Sequence, residues 1–114
     1  MADILTAAAK VLAMNGIKTN ITNMELATST LIQVGDLLSV TGSSDFTVNA
    51  STGELTNDNA LVFTINVGDI GEVVTQIKYN TSTDTLMLID LDSTLTITHA
   101  GEATVAAGEL KVTL

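Results

Sequence analysis

Val73-Val74-Thr75-Gln76-Ile77-Lys78-Tyr79-Asn80-Thr81-Ser82-Thr83-Asp84-Thr85-Leu86-Met87-Leu88-Ile89-Asp90-Leu91 decides the fold class. Val73, Ile77 and Tyr79 keep a two-residue period, and Asn80-Thr81-Ser82-Thr83 is a cluster of turn formers between two β-rich runs. The stretch reads as an antiparallel hairpin. Its second arm breaks the alternation, because Leu86-Met87-Leu88-Ile89 is apolar on both faces, and a strand of that kind is covered on both sides. The second cover is either the N-terminal helix described next or a neighbouring subunit. Leu86, Met87, Leu88 and Ile89 are therefore candidate interface residues, together with Leu114, which closes the strand-like run Leu110-Val112-Leu114.

The same alternation recurs at Phe46 and Val48, at Leu61, Phe63 and Ile65, at Leu95 and Ile97, and over Ile17 to Thr22. Turn signals separate these runs at Gly42-Ser43, Thr52-Gly53, Asn57-Asp58-Asn59 and four glycine-acid steps: Gly35-Asp36, Gly68-Asp69, Gly101-Glu102 and Gly108-Glu109. Turns spaced by about ten residues predict a mainly β fold, an antiparallel β-sandwich or jelly roll, over 17–114. One short N-terminal helix is predicted over 3–15. Ile4, Leu5, Ala8, Val11 and Leu12 form its apolar stripe, Asp3 its cap and Asn15-Gly16 its end. The whole chain, 1–114, reads as one domain. Gly35, Gly68 and Gly101 stand 33 residues apart, but the segments between them do not align, so shared turn chemistry rather than duplication explains the spacing.

Composition narrows the partners. Hydrophobic residues make up 46% of the chain and aromatics only 3%, so the core must be aliphatic. A chain of this size buries roughly two thirds of its unfolded surface, enough for a core without staples. The formal net charge is −9, and the only cations are Lys10, Lys18, Lys78 and Lys111. Lacking arginine forks and any basic stripe, the chain is a poor partner for nucleic acid and for anionic membrane. It has no cysteine, which excludes disulfide and thiol chemistry. Ile4 to Met14 lacks the basic opening of a signal peptide, and no apolar run reaches the length of a membrane span.

Few residues carry chemistry. His99 is the sole histidine, and a catalytic triad would need it beside Asp90 or Asp92 and an activated serine that nothing marks. Asp90 and Asp92 share one strand face about 7 Å apart, a spacing that suits acid-base work or, with Asp84, a divalent cation; a strand end turning into solvent is the better account. Three N-x-S/T sequons, at Asn20, Asn49 and Asn80, fit the general abundance of Asn, Ser and Thr. The chain is expected to be non-enzymatic, with no catalytic, cofactor-binding or metal-binding residues and no cofactor. The polar loops Asn57–Asn59 and Asn80–Asp84 offer the alternative of a carbohydrate or host-surface binding module.

The two ends carry a resemblance. Leu5-Thr6-Ala7-Ala8-Ala9-Lys10-Val11-Leu12-Ala13-Met14-Asn15-Gly16 resembles the short opening helix of small virion structural proteins of tailed bacteriophages, many of which begin Leu-Thr-x-x-Gly-Lys. Leu95-Thr96-Ile97-Thr98-His99-Ala100-Gly101-Glu102-Ala103-Thr104-Val105 is similar to the strand, Ala-Gly-acid turn and short strand of their closing region. Ala106-Ala107-Gly108-Glu109-Leu110-Lys111-Val112-Thr113-Leu114 is similar to the Ala-Ala-Gly turn and final Leu-x-Val-x-Leu strand that follow. Ala9 departs from the pattern where glycine is common, and Ile21 to Gly53 has no counterpart in it. The resemblance implies a capsid-decoration or tail-fibre-type subunit made in the host cytoplasm. Its partners would be other virion proteins and copies of itself, a trimer being favoured by analogy.

Overall fold

The structure is a computed structural model that describes residues 5–114. Asp3 and Ile4, the predicted start of the helix, lie outside the described residues. Helix α1 (Ala7–Asn20) begins at Thr6, whose side chain accepts from the Ala9 N–H at 3.1 Å. It does not stop at Asn15-Gly16 but runs on until Ile21, whose N–H still bonds the Ile17 carbonyl. The strand expected over Ile17 to Thr22 is therefore mostly helix. Glycine inside a helix costs about 1 kcal/mol against alanine. Burial of Met14 and Ile21, with Ile17 half-buried between them, offsets that cost.

The predicted stripe coincides with the docked face only at the half-buried Val11. Leu5 and Ala8 are exposed, Leu12 is 75% exposed, and Met14 is the buried residue of the helix. Apolar residues surround most of this helix, so periodicity alone does not choose its docked face. The contacts of α1 with the one-turn helix α2 (Gly42–Asp45) and strand β3 (Phe46–Val48) make that choice. Gly42 lets α2 dock: a Cβ there would lie 1.6 Å from the Lys18 carbonyl oxygen.

The remaining strands are β1 (Asn23–Ala27), β2 (Gln33–Ser39), β4 (Leu55–Asn57), β5 (Leu61–Ile65), β6 (Val73–Asn80), β7 (Thr85–Thr96), β8 (Gly101–Val105) and β9 (Lys111–Val112). They form three antiparallel sheets, ordered β2-β1-β6-β7, β3-β4-β9 and β5-β8. The hairpin of 73–91 is present as β6 and β7, and β7 continues to Thr96 as the outermost strand of its sheet. The fold is thus small and mixed, an N-terminal helix with several antiparallel sheets.

The four glycine-acid steps are not equivalent. Gly101 opens β8 and Gly108 lies in the turn before β9, as turn signals should. Gly68 belongs to a 3-10 turn, Val67–Asp69. Gly35 lies inside β2, at φ +74°, where β2 bulges against β1 between the pairs Leu26–Val34 and Met24–Leu38. A Cβ at Gly35 would come within 2.4 Å of the Thr64 carbonyl oxygen. That close approach brings β2 against β5 and so joins the four-stranded sheet to the two-stranded one.

One continuous core fills the interior. Met24 and Leu26 of β1, Val34 of β2, Phe63 of β5 and Ile77 and Tyr79 of β6 are all buried in it. Phe46 packs on Tyr79 with ring centroids 6.0 Å apart and a 48° tilt, a favourable edge-type contact that ties β3 to β6. Tyr79 is fully buried and its hydroxyl has no hydrogen-bond partner among the described residues. Burial pushes its phenol well above the usual tyrosine range, so it stays neutral.

Two substitutions check this packing in urea unfolding. Gly35→Ala is expected to cost about 2–4 kcal/mol, from the left-handed backbone and the overlap with Thr64. Tyr79→Phe is expected to be neutral or stabilising by about 1 kcal/mol, because it removes an unpaired buried hydroxyl; a loss above that size would place a partner on the hydroxyl.

Candidate functional site

The positions nominated for chemistry do not converge. The His99 ring meets the Thr98 hydroxyl at 3.0 Å through Nδ1, and no hydrogen bond joins it to Asp90 or Asp92 among the described residues. Asp90 accepts from Gln76 Nε2 at 3.1 Å across the β6–β7 pair, while Asp92 is exposed where β7 bulges at Leu91–Thr94. Asp84 closes the β6–β7 turn, its N–H and that of Thr83 both bonding Thr81 Oγ1. Among the described residues no group of three or more His, Cys, Asp or Glu is placed to hold a metal ion. No helix among them is long and apolar enough to cross a membrane.

The two polar loops have different fates. Asn57 is fully buried and acts as a joint: its Nδ2 donates to the carbonyls of Asn59 and Ala106, and its Oδ1 accepts from the Leu110 N–H. It fastens β4 to the turn between β8 and β9, so it cannot also grip a ligand. The Asn80–Asp84 loop instead borders a polar pocket of about 220 Å³, lined also by Asn23, Glu25, Gln33 and Leu37. Within it Asn80 Nδ2 donates to Asn23 Oδ1 and Glu25 Oε1; Lys78 Nζ, outside the pocket lining, stands 3.8 Å from Glu25 Oε2. All three aromatic residues of the chain, Phe46, Phe63 and Tyr79, are buried, which leaves this pocket without a platform for a sugar face.

The apolar candidate is larger. Where the sheets part between β7 and β8 they leave a cleft of about 320 Å³, at the lower end of the range of ligand sites. Phe63, Ile65, Val74 and Ile77 form its floor, Leu91 and Leu95 one wall, Ala103 and Val105 the other, and His99 and Glu102 stand at its border. Sequence reading missed this feature. Its floor residues read as ordinary core, and no local signal announces that two consecutive strands will not pair with each other. The nearest hint is Thr98-His99-Ala100-Gly101, a polar step between apolar runs.

No protein-family model, curated protein or solved structure matches the chain. Its function must be argued from its own residues and surfaces.

Of the proposed interface residues, the structure divides those on β7 by face. Met87 and Ile89 stand opposite Tyr79 and Ile77 of β6 and pack half-buried against the core. Leu88 stands opposite Lys78 on the other face and is 41% exposed. Leu86 shares the Leu88 face by strand alternation and is half-buried. Leu114 is exposed beyond β9. Helix α1 makes its main contacts with α2 and β3, so it is not the second cover of β7.

The joint at Asn57 is open to test. Asn57→Ala should lower stability by about 1–3 kcal/mol, since three part-buried backbone groups, at Asn59, Ala106 and Leu110, lose their partner at once. The signature is lost amide protection at Leu110 and in β9, read by hydrogen exchange.

Proposed function

We propose that the chain is a non-catalytic structural subunit of a bacteriophage virion, a capsid-decoration or tail-fibre-type protein that assembles with other virion proteins. The observation that carries this reading is β7. It is a twelve-residue edge strand, apolar on both faces over Leu86–Ile89, whose outer face shows Leu88 to solvent and is not the docking side of the helix. An apolar strand face open to solvent is a surface that a partner can cover. The virion context comes from the resemblance at the two ends of the chain, and the composition agrees with it. An acidic, cysteine-free domain stays soluble as a free subunit and needs no disulfide to hold together.

In this reading the fold is an antiparallel sandwich or jelly roll left open between β7 and β8, and copies associate through the outer face of β7, with a trimer favoured by analogy. Leu37, 50% exposed, and Leu88 flank the Glu25–Lys78 pair on that face. Such a surface, apolar at its margins with a charge pair between, suits a subunit contact. The rival reading, a carbohydrate or host-surface module using the Asn80–Asp84 pocket, is weaker because no aromatic side chain reaches the surface.

Sedimentation of the purified chain across a range of concentrations tests the reading. The native chain is expected to associate. Leu88→Glu is expected to hold it monomeric with its melting temperature nearly unchanged, whereas Ile89→Glu should unfold the subunit because that side chain packs on the core. A native chain that stays monomeric at high concentration and binds no virion protein would sink the assembly reading; glycan binding lost on substitution in the Asn80–Asp84 loop would favour the rival.

A further inference from the structure

The seam between β7 and β8 combines three properties. Among the described residues neither outer strand edge has a backbone hydrogen-bond partner. Behind the seam lies the 320 Å³ aliphatic cleft. At its border Glu102 of β8 is exposed, and no lysine stands among the residues that line the cleft.

Each property selects an occupant. Free N–H and C=O groups along an edge are satisfied by an added strand, which gives affinity through main-chain bonds and specificity through alternate side chains. On β8, Ala103 and Val105 are half-buried toward the cleft while Glu102 and Thr104 are exposed, so a strand added beside it would repeat that alternation. Its inward side chains would enter an apolar space, and an outward one would stand next to the Glu102 carboxylate. Opposite charges paired across strands are favourable and like charges directly opposite are not.

We propose that this seam receives an extended segment of another virion protein, aliphatic at alternate positions and bearing Lys or Arg at the positions between. The segment adds to the outer edge of β8, sets its aliphatic side chains into the cleft and a cation against Glu102. This deepens the assembly reading and rests on it, while using a different surface from the outer face of β7. A second copy of the chain is a poor occupant. It carries thirteen acidic residues against four lysines, of which Lys78 already faces Glu25. The bulge of β7 at Leu91–Thr94, with Asp92 in it, is also a device by which edge strands refuse their own kind.

The test uses the full chain and synthetic decapeptides, followed by amide chemical shifts and calorimetry. A peptide alternating Val and Lys is expected to bind and to shift Gly101–Val105. It should bind about tenfold more tightly than alternating Val-Glu or Ser-Lys peptides and weaken as salt is raised. The same Val-Lys peptide N-methylated at alternate residues should not bind, and Glu102→Lys should weaken the unmodified peptide without shifting the melting temperature. Equal binding of the Val-Glu peptide overturns the charge selection, and equal binding of the N-methylated peptide overturns strand addition. Self-association abolished by Glu102→Lys would make the occupant a second copy and overturn the proposal. If the chain assembles through Leu88 yet no peptide binds, the seam proposal falls and the assembly reading stands.

Discussion

The unbroken ladder between β1 and β6 is the constraint from which the rest of the arrangement follows. Five consecutive pairs, Asn23–Asn80 to Ala27–Gln76, keep register without interruption, and each inward residue of one strand meets an inward residue of the other. Both flanking strands depart from it. β2 bulges at Gly35–Leu37 and β7 at Leu91–Thr94, and a bulge bends a strand and sharpens its twist. On one side the bend accompanies the contact of β2 with β5; on the other, β7 and β8 are left apart. A straight centre with two bent margins thus accounts for both the joined seam and the open one.

Much of this was legible wherever a sequence run is both periodic and punctuated. The β6–β7 hairpin satisfies both conditions, and so do Phe46–Val48 and Leu61–Ile65, each of which is a strand. What failed did so for tertiary reasons. Asn15-Gly16 has the chemistry of a helix end, but Met14 and Ile21 lie on one docked face and carry the helix past it. Gly35-Asp36 has the chemistry of a turn, yet the glycine is required by the approach of Thr64, which lies far away in sequence. Asn57 looked like a loop ligand because nothing local marks it as the partner of Leu110.

The surfaces are less legible than the core, and the reason is physical. Which face of β7 is covered depends on where α1 docks, and which strand edges remain free depends on a pairing that does not form. Neither is written in a local pattern. Of the two-faced apolar run Leu86–Ile89, Met87 and Ile89 pack on the core while Leu88 stays exposed. Asp90 and Asp92, weighed for catalysis or metal binding, form no common site: Asp90 accepts from Gln76 and Asp92 lies exposed in the bulge of β7.

The burial of every aromatic ring has an optical consequence. With no tryptophan and Tyr79 its single tyrosine, the chain absorbs feebly in the near ultraviolet, and nearly all of that absorption comes from one ring held against Phe46. Near-ultraviolet dichroism of the native chain is therefore a report on a single joint, the one between β3 and β6. Tyr79 serves as a built-in gauge of whether the core has closed.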